Sequence, residues 1–173
     1  MMDNITYEYL KKDLPISVVG LKYFNVYGPK EFFKNKTASM VVQFGHQILK
    51  GVTPKLFEGS DKILRDFIYI EDIIQANIKA CKPKKSGVYN VGTGNARSFE
   101  DIVNILQKEL EIDNGKEYIP NPYVGSYQFF TEANILTTKK FLDYEPRFSL
   151  EDGIKAYIPE IKRLFAEEVK WYN

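Results

Sequence analysis

The sequence predicts an α/β fold, because short β-branched, apolar runs alternate with longer segments whose apolar residues recur at helical spacing. The clearest strand is the run 16–23, which follows Pro15 and leads into the turn 25–29, where a glycine and a proline end regular structure. A basic stretch comes next, and open α/β sheets bind ligands where a strand ends in such a turn. The segment 21–36 is therefore the first candidate site, and a strand followed by a solvated loop is the alternative.

The composition limits the classes of function that the chain can have. A length of 173 residues allows one domain with a sizeable core. With 24 Lys and Arg against 23 Asp and Glu, the formal charge is +1, which gives no electrostatic reason to expect nucleic acid or a membrane as partner. One cysteine, Cys81, excludes an internal disulfide, and the absence of disulfides fits a reducing compartment, in line with the cytoplasmic location that we expect. One histidine, His46, gives no support for a metal site or a Ser-His-Asp arrangement.

The elements of the first third follow from periodicity and capping. Residues 1–12 predict a helix, because apolar residues share one of its faces. Thr37 and Ser39 are the candidate N-caps of a second helix. Residues 55–57 predict a short strand, and residues 58–61 predict a turn.

The run 63–70 predicts a strand that is apolar except for Arg65 and Asp66. Charged groups in an apolar stretch must be paired or must hold a ligand. One interpretation is an ion pair between Arg65 and Asp66 at a strand edge. The other is an arginine presented to a phosphate, since its planar fork suits bidentate contact.

Glu71 and Asp72 open the next helix, where negative charge suits the helix dipole. Its spacing predicts that four apolar residues face inward: Ile73, Ile74, Ile78 and Cys81. A buried Cys81 would be a packing residue, and a reactive thiol is the less favoured interpretation.

A strand at 87–91 precedes a glycine-rich turn, 92–94, and a helix. Strand, Gly-x-Gly and helix in this order also describe a dinucleotide-binding loop. The sixth position is Arg97, where that loop needs a small residue, so the pattern predicts a tight turn and no cofactor loop. Ser98 and Asp101 predict a capping box at the start of the helix.

The last third has weaker patterns. Residues 117–119 predict an edge strand, and residues 121–128 form a turn-rich loop. A helix is expected near 138–142, and Ser149 is placed to cap a final helix. Pro159 should kink that helix or restart it.

Three stretches carry a family resemblance: LKYFNVYGPKE, KLFEGSDKILRDFIYIEDI and GVYNVGTGNARSFEDIV, in that order. They resemble the C-terminal half of the extended short-chain dehydrogenase/reductases, in the nucleotide-sugar epimerase and dehydratase group. Within that group the chain is most similar to the ADP-L-glycero-D-manno-heptose 6-epimerases. The resemblance implies the last sheet strands of a Rossmann-type fold together with a small α/β substrate-binding domain.

The family's glycine-rich cofactor loop and its Tyr-x-x-x-Lys pair have no counterpart at the expected places in the sequence. The resemblance therefore implies that residues 1–173 are the substrate-binding C-terminal portion, without the dinucleotide-binding half, and are inactive alone. The surface that would meet the other half leads us to expect a homo-oligomer.

The resemblance also implies a reaction: NADP+ takes a hydride from C6 of an ADP-heptose in a heptose or lipopolysaccharide pathway, and the hydride returns to the opposite face. Such an inversion needs an acid/base group on each side of the carbon. By resemblance, one group is the family's tyrosine and the other is Lys34. Val26 and Lys34 would also contact the cofactor.

The substrate-binding positions that the resemblance implies are Asn25, Lys36, Gln43, Phe57, Glu58, Gly59, Ser60, Arg65 and Tyr127. Residues 57–60 would hold the nucleotide end, Arg65 the diphosphate, and Asn25 and Tyr127 the sugar. Lys36 and Gln43 depart from the residues that many relatives carry there. Two alternatives stay open, namely a UDP- or GDP-sugar epimerase or dehydratase, which does not need Lys34, and a non-catalytic nucleotide-sugar-binding module.

Overall fold

The computed structural model describes residues 2–122 and 128–167, and the side chains at positions 2, 3, 35 and 36 lie outside that description. It confirms the α/β class. The helices are α1 (Met2–Leu10), α2 (Met40–Leu49), α3 (Ile70–Ala80), α4 (Phe99–Leu110), α5 (Leu136–Leu142) and α6 (Leu150–Ala166). The strands are β1 (Val19–Tyr23), β2 (Asn25–Tyr27), β3 (Lys55–Phe57), β4 (Leu64–Tyr69), β5 (Gly87–Val91), β6 (Ala96–Ser98), β7 (Glu117–Ile119) and β8 (Phe130–Thr131).

β4 is the central strand of the described sheet that carries most of the candidate site. Its second half pairs in parallel with β2, while its first half pairs with β6 in antiparallel and with β8 in parallel orientation. β1 pairs in parallel with β5, and β3 pairs in parallel with β7. β2 follows β1 directly along the chain and pairs with β4. The end of β1 and the start of β2 therefore lie close to β4.

The first strand is shorter and more exposed than the sequence predicts. β1 begins at Val19, and Ile16 is 67% exposed, so the prediction of a buried strand over 16–23 is wrong at its start. Within the part of the chain that the structure describes, β1 has one strand neighbour, β5, and its other edge is open. An apolar run shows strand propensity, but its burial depends on what covers it.

The predicted inward face of α3 is also wrong. Ile73 is buried, whereas Ile74 and Ile78 are 47% and 68% exposed and Cys81 is exposed. The buried stripe contains Asp72 and Ala76 instead. Asp72 lies in this stripe because its carboxylate accepts hydrogen bonds from the backbone amides of residues 147 and 148, which a pattern of apolar residues cannot reveal.

Helices α2, α4 and α6 form the larger core with β3 and β4. Fully buried side chains from these helices, among them Phe44, Leu106 and Ile161, pack in one cluster. Capping defines the helix starts as predicted: Ser98 and Asp101 form a capping box, and the Ser149 side chain accepts a hydrogen bond from the Asp152 amide. These caps fix where the core-facing stripes begin.

Helix α6 continues through Pro159 without an interruption, from Leu150 to Ala166. The predicted restart is therefore wrong. Pro159 lies between the buried residues Ile158 and Ile161, whose packing offsets the loss of one helical hydrogen bond. A smaller core joins β5, α3 and α5. Among the described helices, none combines the length and apolar character that crossing a membrane requires.

Candidate functional site

A buried carboxylate fixes the turn that follows β2. Glu31 is only 5% exposed. Its Oε1 accepts hydrogen bonds from the Gly28 amide at 3.2 Å and the Ser39 hydroxyl at 2.7 Å, and its Oε2 accepts from the Ser39 amide at 2.7 Å. Lys30, beside it, has a φ of 71°, in the left-handed region that non-glycine residues rarely adopt. Glu31 thus ties the end of β2 to the start of α2 and holds the connecting segment in a strained conformation.

Lys34 lies in this connecting segment, in the 3₁₀ turn Phe32–Thr37. Its backbone is fixed, because its amide donates to the Glu31 carbonyl at 2.9 Å and its carbonyl accepts from the Thr37 hydroxyl at 2.7 Å. Its side chain is exposed, and it does not line either of the two cavities described below. Its catalytic role stays a prediction. The side chain of Lys36 lies outside the description, so its predicted role has no geometry.

An open cleft of about 290 Å³ lies between the end of β1, the start of β2 and the first half of β4. We call it the arginine cleft, and its lining residues are Lys22, Tyr23, Phe24, Asn25, Arg65, Gln128 and Thr131. It brings together two of the predicted substrate-binding residues, Asn25 and Arg65. The Asn25 side chain donates to the Asp66 carbonyl at 3.3 Å, which holds its amide group against β4.

Arg65 and Asp66 are successive strand residues and therefore project to opposite faces of β4. Arg65 donates to the carbonyl oxygens of Leu64, at 2.9 Å, and Gln128. Because these carbonyls are neutral, the bonds orient the guanidinium without cancelling its charge. The arrangement favours the interpretation of an arginine presented to a ligand.

Asp66 is fully buried, and its carboxylate accepts four hydrogen bonds. Oδ1 accepts from the amide and hydroxyl of Thr93 at 2.8 and 2.7 Å, and Oδ2 accepts from the amides of Gly94 and Ala133 at 2.9 and 3.0 Å. The amides of the Gly-x-Gly turn are therefore occupied by an internal carboxylate. They do not fit a dinucleotide pyrophosphate, in agreement with the prediction of a tight turn.

A second cavity, of about 160 Å³, lies between α2, α4 and the end of β3. We call it the apolar pocket, and its lining residues are Met40, Phe44, Lys55, Leu56, Phe57, Ser60, Ile63 and Phe99. Two predicted nucleotide-binding residues, Phe57 and Ser60, contribute to it. The Ser60 hydroxyl is buried and has no hydrogen-bond partner in the described structure, which leaves one polar group in an otherwise apolar wall.

The turn at residues 57–60 depends on a glycine. Gly59 has a φ of 76°, in the region that favours glycine, and its carbonyl accepts a hydrogen bond from the Lys62 amide at 3.0 Å. Glu58 is exposed, and its amide donates to the Ile119 carbonyl at 2.9 Å, which joins the turn to β7. Backbone geometry is the clearest role of Gly59 here.

The two cavities adjoin along β4. Ile63 lines the apolar pocket and Arg65 lines the arginine cleft. Two residues of extended chain span about 7 Å and project to the same face. One elongated ligand with an apolar end and an anionic middle can therefore contact both.

Of the remaining predicted residues, Val26 and Gln43 do not line either cavity. Val26 is half-buried in β2, and its side chain packs against the smaller core. Gln43 donates to the Ala38 carbonyl at 2.6 Å, at the start of α2. Tyr127 lies outside the described residues. Among the described residues, Val26 could offer an apolar contact and Lys34 a cation to a cofactor. These two groups would suit the nicotinamide end and no other part of it.

Glu100, next to Phe99 at the start of α4, is held by two hydrogen bonds. Lys116 donates to its carboxylate at 2.7 Å and Tyr118 donates at 2.9 Å. The hydrogen bond from Lys116 lowers the pKa of Glu100, and the bond to Glu100 raises the pKa of Tyr118. On α2, burial lowers the pKa of His46. The described residues contain no group of three or more His, Cys, Asp or Glu side chains placed to hold a metal ion.

Sequence reasoning placed Lys22 in the candidate segment 21–36, but it missed the cleft residues Gln128 and Thr131 and most of the lining of the apolar pocket. Their place in the site follows from strand pairing, above all the register of β8 with β4. β8 has two residues, too few to show the alternation that would mark a strand in the sequence. The polar character of Thr131 within an aromatic-rich stretch was the one local signal.

Comparison with known proteins supports the predicted resemblance. A model of the NAD dependent epimerase/dehydratase family matches residues 1–92. Over 149 residues, 84% of this chain and 46% of the relative, the chain is 40% identical to an ADP-L-glycero-D-manno-heptose-6-epimerase of Brachyspira hyodysenteriae. A solved structure of ADP-L-glycero-D-manno-heptose-6-epimerase from Helicobacter pylori is 47% identical with a TM-score of 0.80, covering 93% of this chain and 48% of that one.

A more distant solved structure, UDP-glucuronic acid 4-epimerase from Bacillus cereus in complex with NAD, is 29% identical with a TM-score of 0.76, covering 94% of this chain and 50% of that one. The chain thus spans about half the length of the relatives it matches. These relatives share the Rossmann-like α/β fold of the extended short-chain dehydrogenase/reductases, which confirms the predicted fold class. Since the family model matches more than half of the sequence, the chain belongs to the NAD dependent epimerase/dehydratase family.

Proposed function

We propose that this chain forms the nucleotide-sugar-binding part of an epimerase that inverts C6 of ADP-L-glycero-D-manno-heptose, with NADP as the hydride carrier. The proposal includes residues 1–173 as a substrate-binding portion, and a cytoplasmic place in heptose or lipopolysaccharide biosynthesis. The observation that carries it is the pair of adjoining cavities along β4, in a chain 47% identical to the Helicobacter pylori ADP-heptose epimerase over 93% of its length.

The shape and chemistry of the two cavities support an ADP-sugar. The apolar pocket presents aromatic side chains, including Phe57, for a base to stack on, and the Ser60 hydroxyl for one of its polar atoms. The arginine cleft presents the guanidinium of Arg65 to a diphosphate and the amide of Asn25 to a sugar hydroxyl. A nucleoside diphosphate sugar has these groups in this order.

The chemical roles of this chain's residues follow from inversion at a secondary alcohol. When bound, NADP supplies an acceptor and then a donor of hydride at C6, which passes through a ketone. Hydride must leave one face of C6 and return to the other, while the oxygen loses its proton in one orientation and regains a proton in the opposite one. A second acid/base group is therefore needed beside the family's tyrosine. Lys34 is our candidate, because Glu31 fixes the backbone that carries it at the end of β2.

Calorimetric titration of this chain with ADP-L-glycero-D-manno-heptose tests the substrate class. We expect saturable binding that weakens about tenfold or more in Arg65→Met, because the variant loses a charge-assisted contact to the diphosphate. Arg163→Met is the matched control. Arg163 is paired with Glu160 and Glu167 on α6, away from both cavities, and its loss should leave the affinity unchanged.

UDP-glucose and GDP-mannose serve as competing ligands in the same titration. Tighter binding of either one would replace the ADP-heptose assignment with another nucleotide-sugar epimerase. Absence of binding by all three ligands would overturn the proposal that this chain binds nucleotide sugars. Tight binding of NADP to the chain would contradict our view that its described residues contact only the nicotinamide end.

A further inference from the structure

One residue that lines the arginine cleft has a buried hydroxyl without a hydrogen-bond partner among the described residues. The Oγ1 of Thr131, in β8, is buried and makes no hydrogen bond in the described structure. Leaving such a group unpaired costs about 1–3 kcal/mol, and most buried polar atoms in folded proteins are paired. An unpaired hydroxyl at the wall of a cleft therefore calls for a partner that the protein chain does not provide.

The strand register directs Thr131 toward the arginine cleft. In the parallel pairing of β8 with β4, Thr131 is the partner of Arg65. Partner residues on neighbouring strands project to the same face of a sheet and lie side by side. Thr131 and Arg65 both line the cleft, together with Asn25.

The groups gathered there are chemically alike, because a guanidinium, a side-chain amide and a hydroxyl all donate hydrogen bonds. Several donors around one cation suit an oxygen-rich anion. The Thr131 side chain is only half-buried as a whole. A rotation about its Cα–Cβ bond to another staggered position would turn the hydroxyl from its buried place toward a ligand in the cleft.

We propose that the Thr131 hydroxyl donates a hydrogen bond to the diphosphate of the nucleotide sugar, next to Arg65. This inference rests on the proposed function and adds a binding residue to its site. No reaction step depends on Thr131, so its contribution is to binding and orientation.

A second threonine supplies a matched comparison. Thr138, in α5, is fully buried, and its hydroxyl donates to the Asn90 carbonyl at 2.6 Å. Replacing threonine by valine removes a hydroxyl at nearly constant shape. At Thr138 the change breaks a hydrogen bond and leaves a carbonyl unpaired. At Thr131 it removes an unpaired group, so the stability of the free protein should stay the same or rise.

The test compares Thr131→Val and Thr138→Val by titration calorimetry with ADP and by urea unfolding without ligand. We expect Thr131→Val to bind ADP about tenfold more weakly, with an unchanged or higher urea midpoint. Thr138→Val should show the opposite pattern, with unchanged ADP affinity and a lower urea midpoint. A role for Thr131 in folding alone would lower its urea midpoint and leave the affinity unchanged.

Further ligands separate this inference from the proposed function. Adenosine lacks the diphosphate, so its affinity should be equal in the wild type and in Thr131→Val. Equal ADP affinity in both proteins, as expected if water satisfies the hydroxyl, overturns the inference and leaves the proposed function intact. Preferred binding of UDP with the same loss in Thr131→Val supports the inference while it contradicts the ADP assignment. A wild type that binds neither nucleotide overturns both.

Discussion

Asp66→Asn exchanges one carboxylate oxygen for an NH₂ group, and we expect it to be among the most destabilising conservative substitutions in this protein. The carboxylate is fully buried and accepts four hydrogen bonds, two on each oxygen. An asparagine side chain keeps one of these oxygens and places an NH₂ group where the other oxygen was. Two donors that were bound then face another donor, and the negative charge that strengthened all four bonds is gone.

The magnitude follows from these contacts. A hydrogen bond to a charged group contributes about 1.5–3 kcal/mol. Losing two of them inside the protein predicts a loss of about 3–6 kcal/mol, a large share of the roughly 5–15 kcal/mol that stabilises a typical domain. The three segments that Asp66 joins, around residues 66, 93 and 133, should also separate more easily.

Urea unfolding followed by circular dichroism measures the loss, and Asp143→Asn is the matched control. Asp143 is exposed and has a left-handed φ of 52°, which asparagine tolerates well. Its ion pair with Lys84 is at the surface, so the control should change the free energy of unfolding by about 0.5 kcal/mol or less. If Asp66→Asn costs no more than this control, the carboxylate does not hold the Gly-x-Gly turn.

Three further predictions test other parts of the chain. Burial lowers the pKa of His46, so as the pH falls through its ordinary value of 6.5 the unfolded state takes up the proton first. Stability should therefore be complete well above that pH and decrease as the pH falls through it; urea midpoints of His46→Gln should lack this component, and an identical pH profile would contradict the reasoning. Glu31→Gln places a donor against the Ser39 amide and should cost about 1–3 kcal/mol, with faster hydrogen exchange at that amide, whereas the exposed Glu58→Gln should change neither. In any preparation of this protein that epimerises ADP-heptose, Lys34→Ala should lower kcat by about 10²–10⁴ with little change in KM. Activity near that of the wild type would favour an epimerase that needs no second base.

The secondary structure was predictable where local chemistry decides it. Ser98 and Asp101 carry the capping-box signature, and the structure forms that box at the start of α4. β3 has the predicted limits, and the glycine-rich turn is a tight turn. The capping box depends on residues within about four positions of one another, so the sequence contains that whole interaction.

The candidate site was predictable only in part, and by resemblance more than by pattern. Four predicted residues line the two adjoining cavities, and their binding roles stay predictions: Asn25, Phe57, Ser60 and Arg65. Lys34 stands apart from both, because a 3₁₀ turn carries it on an exposed surface. The distance between the Lys34 amine and a substrate depends on how segments far apart in the sequence pack together.

The sequence by itself determined the α/β class, the capped helices, the family and which arginine is the candidate for ligand binding. The tertiary structure alone decided which apolar residues of α3 are exposed and that Thr131 lies beside Arg65. It also decided that, within the described structure, Asp66 binds backbone amides on the other face of β4 and forms no ion pair with Arg65. The physical reason is the separation along the chain over which each kind of interaction acts. Propensity and capping act between near neighbours, whereas burial and strand register depend on segments separated by dozens of residues, such as 65 and 131.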